Sequence, residues 1–146
     1  MQSDDPILLW RKMQSPIRIT IIHQRLGICR MDPKAELPDW AAGEPFFSIT
    51  RTADELSIIC PERNIPPGVV RDYGWRAMKL EGPFEFTMIG VLAGIAVPLA
   101  HADISILAVA TYDTDYVLVK QNRLEQAVDV LSGQGYQVRY EDLLNQ

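Results

Sequence analysis

The chain has 146 residues, of which 47% are hydrophobic and 23% are charged, and its net charge is −5. This length accommodates one ordinary domain or two small ones, and the composition is that of a folded chain rather than a disordered one. The negative charge argues against a nucleic-acid partner, because such partners usually meet a basic surface. Nine Lys and Arg stand against ten Asp and Glu in residues 1–73, and five against nine in residues 74–146, so the second half holds −4 of the net charge. This excess favours a cationic or zwitterionic partner only weakly, since acidic surfaces also serve solubility.

Neither the cysteines nor the histidines are spaced as metal ligands are. Cys29 and Cys60 lie far apart without a CxxC pair, and only His23 and His101 could join them. Both cysteines lie in or beside apolar runs, so we expect buried, reduced thiols. No pair of polar residues at useful spacing predicts catalysis, and we expect neither an enzyme nor a metal or other cofactor.

The chain shows no targeting or membrane-spanning pattern. Its first residues lack a basic segment followed by an apolar core and a cleavage site, which predicts that the protein is cytoplasmic. The longest uncharged run, residues 86–102, contains two glycines and a proline and is too short and too interrupted to cross a bilayer. No membrane partner is therefore expected.

The first half is rich in strand patterns and poor in helix patterns. Apolar and polar residues alternate over 17–21, and a second strand is predicted over 26–31 after a turn near Gly27. Two more strands are predicted over 46–50 and 56–60, while prolines leave room for only one turn of helix near 38–42. The stretch 64–68, Asn-Ile-Pro-Pro-Gly, is the strongest break in the chain. We therefore predict two units, an N-terminal half over residues 1–70 and a C-terminal domain over residues 71–146.

The second half follows a regular order of elements. Its predicted order is strand, helix, strand, strand, helix, strand, which is the βαββαβ unit of ferredoxin-like folds. The corresponding ranges are 75–80, 87–102, 104–111, 116–119, 122–134 and 136–140. Asp113, Thr114 and Asp115 lie between the two middle strands and are residue types that favour turns.

The first of these two helices is apolar on every face. No charged residue lies between Glu85 and Asp103. A helix that is apolar all round is usually buried all round, so either the first half of the chain or another subunit should cover it. A homodimer is therefore expected.

Three segments of the second half are distinctive: Gly82-Pro-Phe-Glu-Phe-Thr-Met-Ile-Gly90, Ala102-Asp-Ile-Ser105 and Ala110-Thr-Tyr-Asp-Thr-Asp-Tyr116. Together they resemble the ACT-domain small-molecule-binding regulators. The branch they resemble comprises the small tandem ACT proteins of bacteria and the related CASTOR-type arginine sensors, where a Ser-Thr-Tyr-x-Thr-Asp signature follows an alanine-rich helix. Ala110 stands where that signature often has Ser, which removes one hydroxyl. Residues 46–63 resemble the companion half less closely.

The resemblance implies an α+β fold of tandem ferredoxin-like ACT domains, with antiparallel sheets and helices on one face. It also implies a non-catalytic regulator that holds an amino acid where the opening of a helix meets a hairpin of a facing ACT unit. The ligand contacts carried over to this chain are Thr87, Met88, Ile89 and Gly90 at the helix opening and Thr111, Tyr112, Thr114 and Asp115 at the hairpin. An unidentified protein partner would receive the signal.

The chemistry of these residues fits a zwitterion independently of the resemblance. A helix start offers unpaired N–H groups and a partial positive charge to a carboxylate, and Gly90 allows close approach. Asp115 could hold an α-ammonium group, contributing roughly 1.5–3 kcal/mol if it is shielded from water. Asp115 could equally serve only to stabilise the turn, and Thr87 could act only as a helix cap. An alternative function is therefore an assembly module whose pocket is degenerate and empty.

Overall fold

The computed structural model describes residues 17–81 and 90–142, together with residue 6. Within these residues the chain forms seven strands and two α-helices. The strands are β1 (Arg18–Met31), β2 (Ser48–Arg51), β3 (Leu56–Pro61), β4 (Val70–Leu80), β5 (Leu107–Ala110), β6 (Asp115–Lys120) and β7 (Gln137–Tyr140). The helices are α1 (Val91–His101) and α2 (Leu124–Gly133), and short 3-10 turns occupy Asp39–Ala41, Glu62–Asn64 and Gln121–Arg123.

All seven strands belong to one sheet with an internal near-symmetry. Its order is β2-β3-β1-β4-β6-β5, with β1 and β4 antiparallel at the centre, and β7 pairs in parallel with the first residues of β1. From the centre outward, the first half thus runs β1, β3, β2 in the same arrangement as β4, β6, β5 of the second half. The two halves resemble repeats of one strand pattern, and α1 and α2 both lie in the second half.

The helices cover one face of the sheet. Alternate residues of β1, β4 and β6 project toward α1 and α2 and form the largest core, which includes Ile19, Ile21, Met78, Leu80, Val117, Val119, Val91, Ile95, Leu99, Ala127 and Leu131. The intervening residues of the same strands form a second core on the opposite face, with Leu26, Trp75, Ala77 and Leu118. The predicted α+β fold, with an antiparallel sheet and helices on one face, is confirmed.

The predicted break near Gly27 is wrong. β1 continues through this position, where Gly27 pairs with Cys60 of β3, and only the register against β4 shifts between Leu26 and Ile28. A Cβ atom on Gly27 would lie 2.6 Å from Ile65 Cδ1 and 2.9 Å from Tyr73 Cδ1. The glycine is therefore required by close packing over the strand and not by a turn.

A bulge in β1 is held by a buried arginine. Between Ile21 and Arg25 the register against β4 shifts, because β1 has more residues there than its partner. The guanidinium of Arg76 donates to the Ile22 carbonyl at 3.1 Å and to Gln121 Oε1 at 3.0 Å. Burial lowers the pKa of Arg76, and these bonds satisfy a carbonyl next to the irregular part of the ladder.

The outer face of α1 departs from the expectation of full burial. Val91, Ile95 and Leu99 are buried against the sheet, whereas Leu92 and Val97 are each 36% exposed. The described part of the first half therefore does not bury this face of α1. None of the helices among the described residues is long and apolar enough to span a membrane.

The sheet continues across the predicted division at residue 70. Residues 18–21 of β1, from the first half, lie between β4 and β7, which both belong to the second half. The core under α1 and α2 accordingly contains Ile19 and Ile21. The division into an N-terminal half over residues 1–70 and a C-terminal domain over residues 71–146 stays a prediction, and the strands of the two halves pair across it.

Candidate functional site

The turn between β5 and β6 is closed by a threonine at each end. The Thr111 N–H donates to the Thr114 carbonyl at 2.8 Å, and the Thr111 hydroxyl donates to the same oxygen at 2.9 Å. Thr114 is buried, and its hydroxyl donates to the Leu80 carbonyl at the end of β4. The Thr114 side chain therefore anchors the turn to the central strand, and its proton is already engaged.

Asp115 begins β6 on the helix side of the sheet. It pairs with Leu80 of β4 and Ala110 of β5, and its side chain is on the same side as those of Val117 and Val119 because strand residues alternate. The residue is partly buried. No hydrogen bond or ion pair involves its carboxylate within residues 17–81 and 90–142, so the carboxylate is available to an added cation.

The first turn of α1 has no side-chain cap. Gly90 is the N-cap residue, with φ at 85°, and its carbonyl accepts the first helical bond from Gly94 at 2.8 Å. A helix start without a Ser, Thr, Asp or Asn cap leaves its first N–H groups open to another acceptor. The expected capping residue Thr87, and with it Met88 and Ile89, lies outside the described residues.

The predicted hairpin residues lie together in one turn, and the start of α1 belongs to the core beneath the sheet. Thr111 and Tyr112 are exposed, with Tyr112 at 80%, and they border Thr114 and Asp115 in one turn. Val91, the first residue of α1, belongs to the same core cluster as Leu80, which accepts the Thr114 hydroxyl. The turn is thus anchored to β4, and the first residue of α1 packs into the core to which β4 contributes.

An equivalent turn in the first half was not predicted. The Thr52 N–H donates to the Glu55 carbonyl at 2.9 Å, and the Asp54 and Glu55 amides donate to the Thr52 hydroxyl at 3.1 and 3.2 Å. This turn joins β2 to β3 as residues 111–114 join β5 to β6. The shared pattern, Thr-x-Asp followed by a polar residue, was visible in the sequence, but four positions are too few to identify a repeat.

The other ionisable groups with shifted pKa values have structural partners. Lys120 Nζ lies 2.6 Å from Asp72 Oδ1, which lowers the pKa of Asp72, and it also lies over the Trp75 ring at 4.9 Å. Burial raises the pKa of both cysteine thiols, that of Cys60 to about 11. Both cysteines are free and buried, as predicted.

Both halves of the chain are similar to known protein families. A family model described as an ACT domain matches residues 70–133, and a second model, of an N-terminal domain, matches residues 24–68. The mouse protein named cytosolic arginine sensor for mTORC1 subunit 1 is 30% identical over 95 residues, which cover 60% of this chain and 29% of the mouse protein. The chain therefore spans less than a third of this curated relative's length.

Solved structures extend the similarity to most of the chain. An Agrobacterium tumefaciens protein is 39% identical, with a TM-score of 0.83, over 88% of this chain and 96% of that chain. The ligand-free regulatory subunit of aspartate kinase from Thermus thermophilus is 9% identical, with a TM-score of 0.58, over 82% and 99%. The latter likeness concerns the fold alone.

Proposed function

Because this chain belongs to the ACT-domain proteins, we propose that it is a non-catalytic regulator that binds an amino acid and transmits its presence to another protein. The observation that carries the proposal is the extent of the ACT match. Residues 70–133 contain both the uncapped start of α1 and the turn with Asp115. The mouse relative supports the same class, since it is called an arginine sensor.

The proposed binding mode uses the two charges of a zwitterion. The ligand carboxylate accepts from the first N–H groups of α1, beside Gly90, and the ammonium group donates to the Asp115 carboxylate. Thr111 and Tyr112 flank the ammonium end, and Thr114 orients the turn through its bond to Leu80. Residues 87–89 would complete the carboxylate end in this proposal.

Arginine is the first ligand to test. The mouse relative is named for arginine sensing, and the second half of this chain carries most of the negative charge. A ligand that contacts two ACT units at once favours the arrangement in which both units reach it. The population shifts toward that arrangement because the ligand binds it more tightly than the alternatives.

The test is a thermal-shift screen of the twenty amino acids on the full chain. We expect one of them to raise the melting temperature, since a ligand at 100 times its Kd stabilises the folded state by about 2.7 kcal/mol. Asp115→Asn should abolish the shift. Asp113→Asn is the matched control, because it removes the same charge from an exposed position of the same turn.

Two results would count against the proposal. A flat screen at millimolar concentrations would remove the sensor function, and an equal loss of the shift in both variants would remove the assigned role of Asp115. Titration calorimetry on the wild-type protein with the same amino acid provides the independent measurement of affinity.

The second candidate is an assembly module with an empty pocket, and the exposed face of α1 favours it. Leu92 and Val97 are exposed on a helix without charged residues, and the Thr114 hydroxyl is occupied within the chain. Both candidate functions, the assembly module and the sensor, include association of two copies of the chain through α1. A dimer that forms without any ligand response supports the module over the sensor.

A further inference from the structure

The two edge strands of the sheet face each other across a cleft of about 390 Å³. The cleft is walled by β2 and β3 on one side and by β5 on the other, because the sheet curls away from its helices. Phe46 of the first half and Tyr116 of β6 close part of the concave face, with ring centroids 4.8 Å apart. The volume falls within the roughly 300–1,000 Å³ of small-molecule sites, which also form in the mouths of barrels.

The two walls of this edge cleft differ in chemistry. Ser48 and Thr50 of β2, together with Ser57 of β3, line one wall, and Thr50 and Ser57 are direct cross-strand partners. Leu107 and Val109 of β5 line the other wall. The near-symmetry of the halves makes Ser48 and Thr50 the equivalents of Leu107 and Val109, so corresponding positions carry hydroxyls in one half and aliphatic side chains in the other.

The three hydroxyl groups have no protein partner in the described part of the chain. None of them donates to or accepts from another residue there, although Ser48 and Ser57 are partly buried. Polar groups that turn toward a concave, partly apolar surface need hydrogen-bond partners from water or from a ligand. The hydroxyl wall is therefore an unused set of donors and acceptors.

Glu55 provides the charge of the cleft. It is the only ionisable residue among the described lining residues. Its nearest cation, Arg30 Nε, lies 3.9 Å from Glu55 Oε2, and both side chains are well exposed, so their pairing contributes little. The neighbouring Arg51 guanidinium is occupied by the carbonyls of Pro33 and Ala35. The lining thus contains a carboxylate but no cation for a ligand's carboxylate or phosphate.

We propose that the edge cleft binds small aliphatic amines that lack a carboxylate group. The ammonium group donates to Glu55 and the hydroxyl wall, and the alkyl chain packs on Leu107 and Val109. The edge cleft lies on the face of the sheet opposite Asp115. Its ligands are amines without a carboxylate group, whereas the site at Asp115 is proposed to bind amino acids, which carry both groups. It is a second site and does not depend on the function proposed above.

The test compares amines with their parent amino acids on the full-length, ¹⁵N-labelled chain. The probes are isoamylamine against leucine and cadaverine against lysine, each followed by amide chemical shifts. We expect the amines to shift the amides of residues 48–50 and 57–59, which belong to the wall of the cleft opposite β5. The parent amino acids should leave these cleft amides unchanged.

Three variants make the result specific. Glu55→Gln should weaken amine binding about tenfold, because it removes the charge from the hydrogen bond. Asp54→Asn is the matched control and should leave affinity unchanged, since Asp54 is exposed and does not line the cleft. Thr50→Tyr places a ring in the cleft at an edge position that suits tyrosine and should abolish binding.

Three outcomes would overturn this proposal. They are the absence of amine-induced shifts at millimolar concentration, amine-induced shifts confined to residues 111–115, and equal binding of amines and amino acids in the cleft. Failure of every amino acid to shift residues 111–115 would instead count against the amino-acid site and leave the amine result standing.

Discussion

Thr114 shows how one hydroxyl fixes the geometry of the candidate site. It is 8% exposed, and its Oγ1 donates to the Leu80 carbonyl where β4 ends. Thr114→Val preserves the shape but leaves that carbonyl without its donor. We expect the free energy of unfolding to fall by about 1–2 kcal/mol in urea denaturation.

The control for this substitution is Thr50→Val. Thr50 is an exposed strand residue whose hydroxyl has no partner among the described residues, so its replacement should change stability by less than about 0.5 kcal/mol. Equal effects of the two substitutions would show that the Thr114 bond does not contribute to stability.

Cys60 gives the protein a predicted weakness at alkaline pH. Burial, and secondarily the neighbouring Cys29, raise the pKa of the Cys60 thiol from 9.0 to about 11 in the folded state. Between these values the unfolded chain releases the proton and the folded chain retains it, so stability falls as pH rises. We expect a loss on the order of 1–3 kcal/mol between pH 9 and 11, at about 1.4 kcal/mol per pKa unit.

The measurement is urea denaturation of the wild type and Cys60→Ala at increasing pH in the presence of a reducing agent. The variant should be less stable at neutral pH because of its cavity, but its stability should decline less steeply above pH 9. Parallel declines would assign the alkaline effect to other groups.

At the scale of elements, α1 is notable because one of its apolar sides is exposed. One side packs Val91, Ile95 and Leu99 into the core, while Leu92 and Val97 on the other side are exposed. We predict that two copies associate through this exposed side. Val97→Glu should convert the dimer into a monomer, as measured by light scattering, because it places a charge in an apolar contact.

Ser132→Glu tests whether a new charge on any helix is enough to dissociate the dimer. Ser132 is exposed on α2, whose outer side is already polar, and this variant should remain dimeric. A wild-type protein that is monomeric at all concentrations would end the prediction, as would a Val97→Glu variant that stays dimeric.

The elements themselves were largely predictable, because each depends on a local pattern. The strands predicted over 56–60, 75–80 and 116–119 correspond to β3, to the second part of β4 and to β6. The helical spacing of apolar residues predicted α1 and α2. Gly27 misled the prediction because a glycine is compatible both with a turn and with close packing in a strand. Only the positions of Ile65 and Tyr73, which are distant in sequence, distinguish the two.

At the scale of the whole molecule, β1 joins the two halves. Its first residues pair with β7 and β4, and Ile19 and Ile21 are fully buried beneath the helices. A fragment of residues 70–142 lacks these side chains and leaves two strands without their shared partner. Removal of two buried isoleucines costs several kcal/mol, which is a large part of the 5–15 kcal/mol available to a typical domain.

We therefore predict that the fragment of residues 70–142 does not fold alone. Its amide spectrum should show the narrow dispersion of an unfolded chain, and a synthetic peptide of residues 17–31 added in trans should restore dispersion. The matched control is the longer fragment of residues 17–142, which should fold. A well-dispersed spectrum of the short fragment without peptide would instead support two independent units.

The candidate site was predictable in its residue types and only partly in its geometry. Asp115 and Gly90 were identified because acidic turns and helix openings have recognisable chemistry. The pairing of β4 with β6 places Asp115 on the helix side of the sheet. It also brings the Thr114 hydroxyl to the Leu80 carbonyl, to which it donates. The edge cleft was not predicted, because Ser48 and Val109 come to face each other across it only when the sheet curls.

The amino-acid sequence alone determined which segments are strands and helices, which residues form turns, and to which family of regulators the second half is similar. These properties depend on neighbours within a few positions, where periodicity and turn chemistry are decisive. The tertiary structure decided that one sheet includes both halves, with Arg18 beside Gln137, and that α1 keeps an exposed face. Such pairings connect residues more than a hundred positions apart, and they are selected by the burial of the whole core rather than by any local pattern.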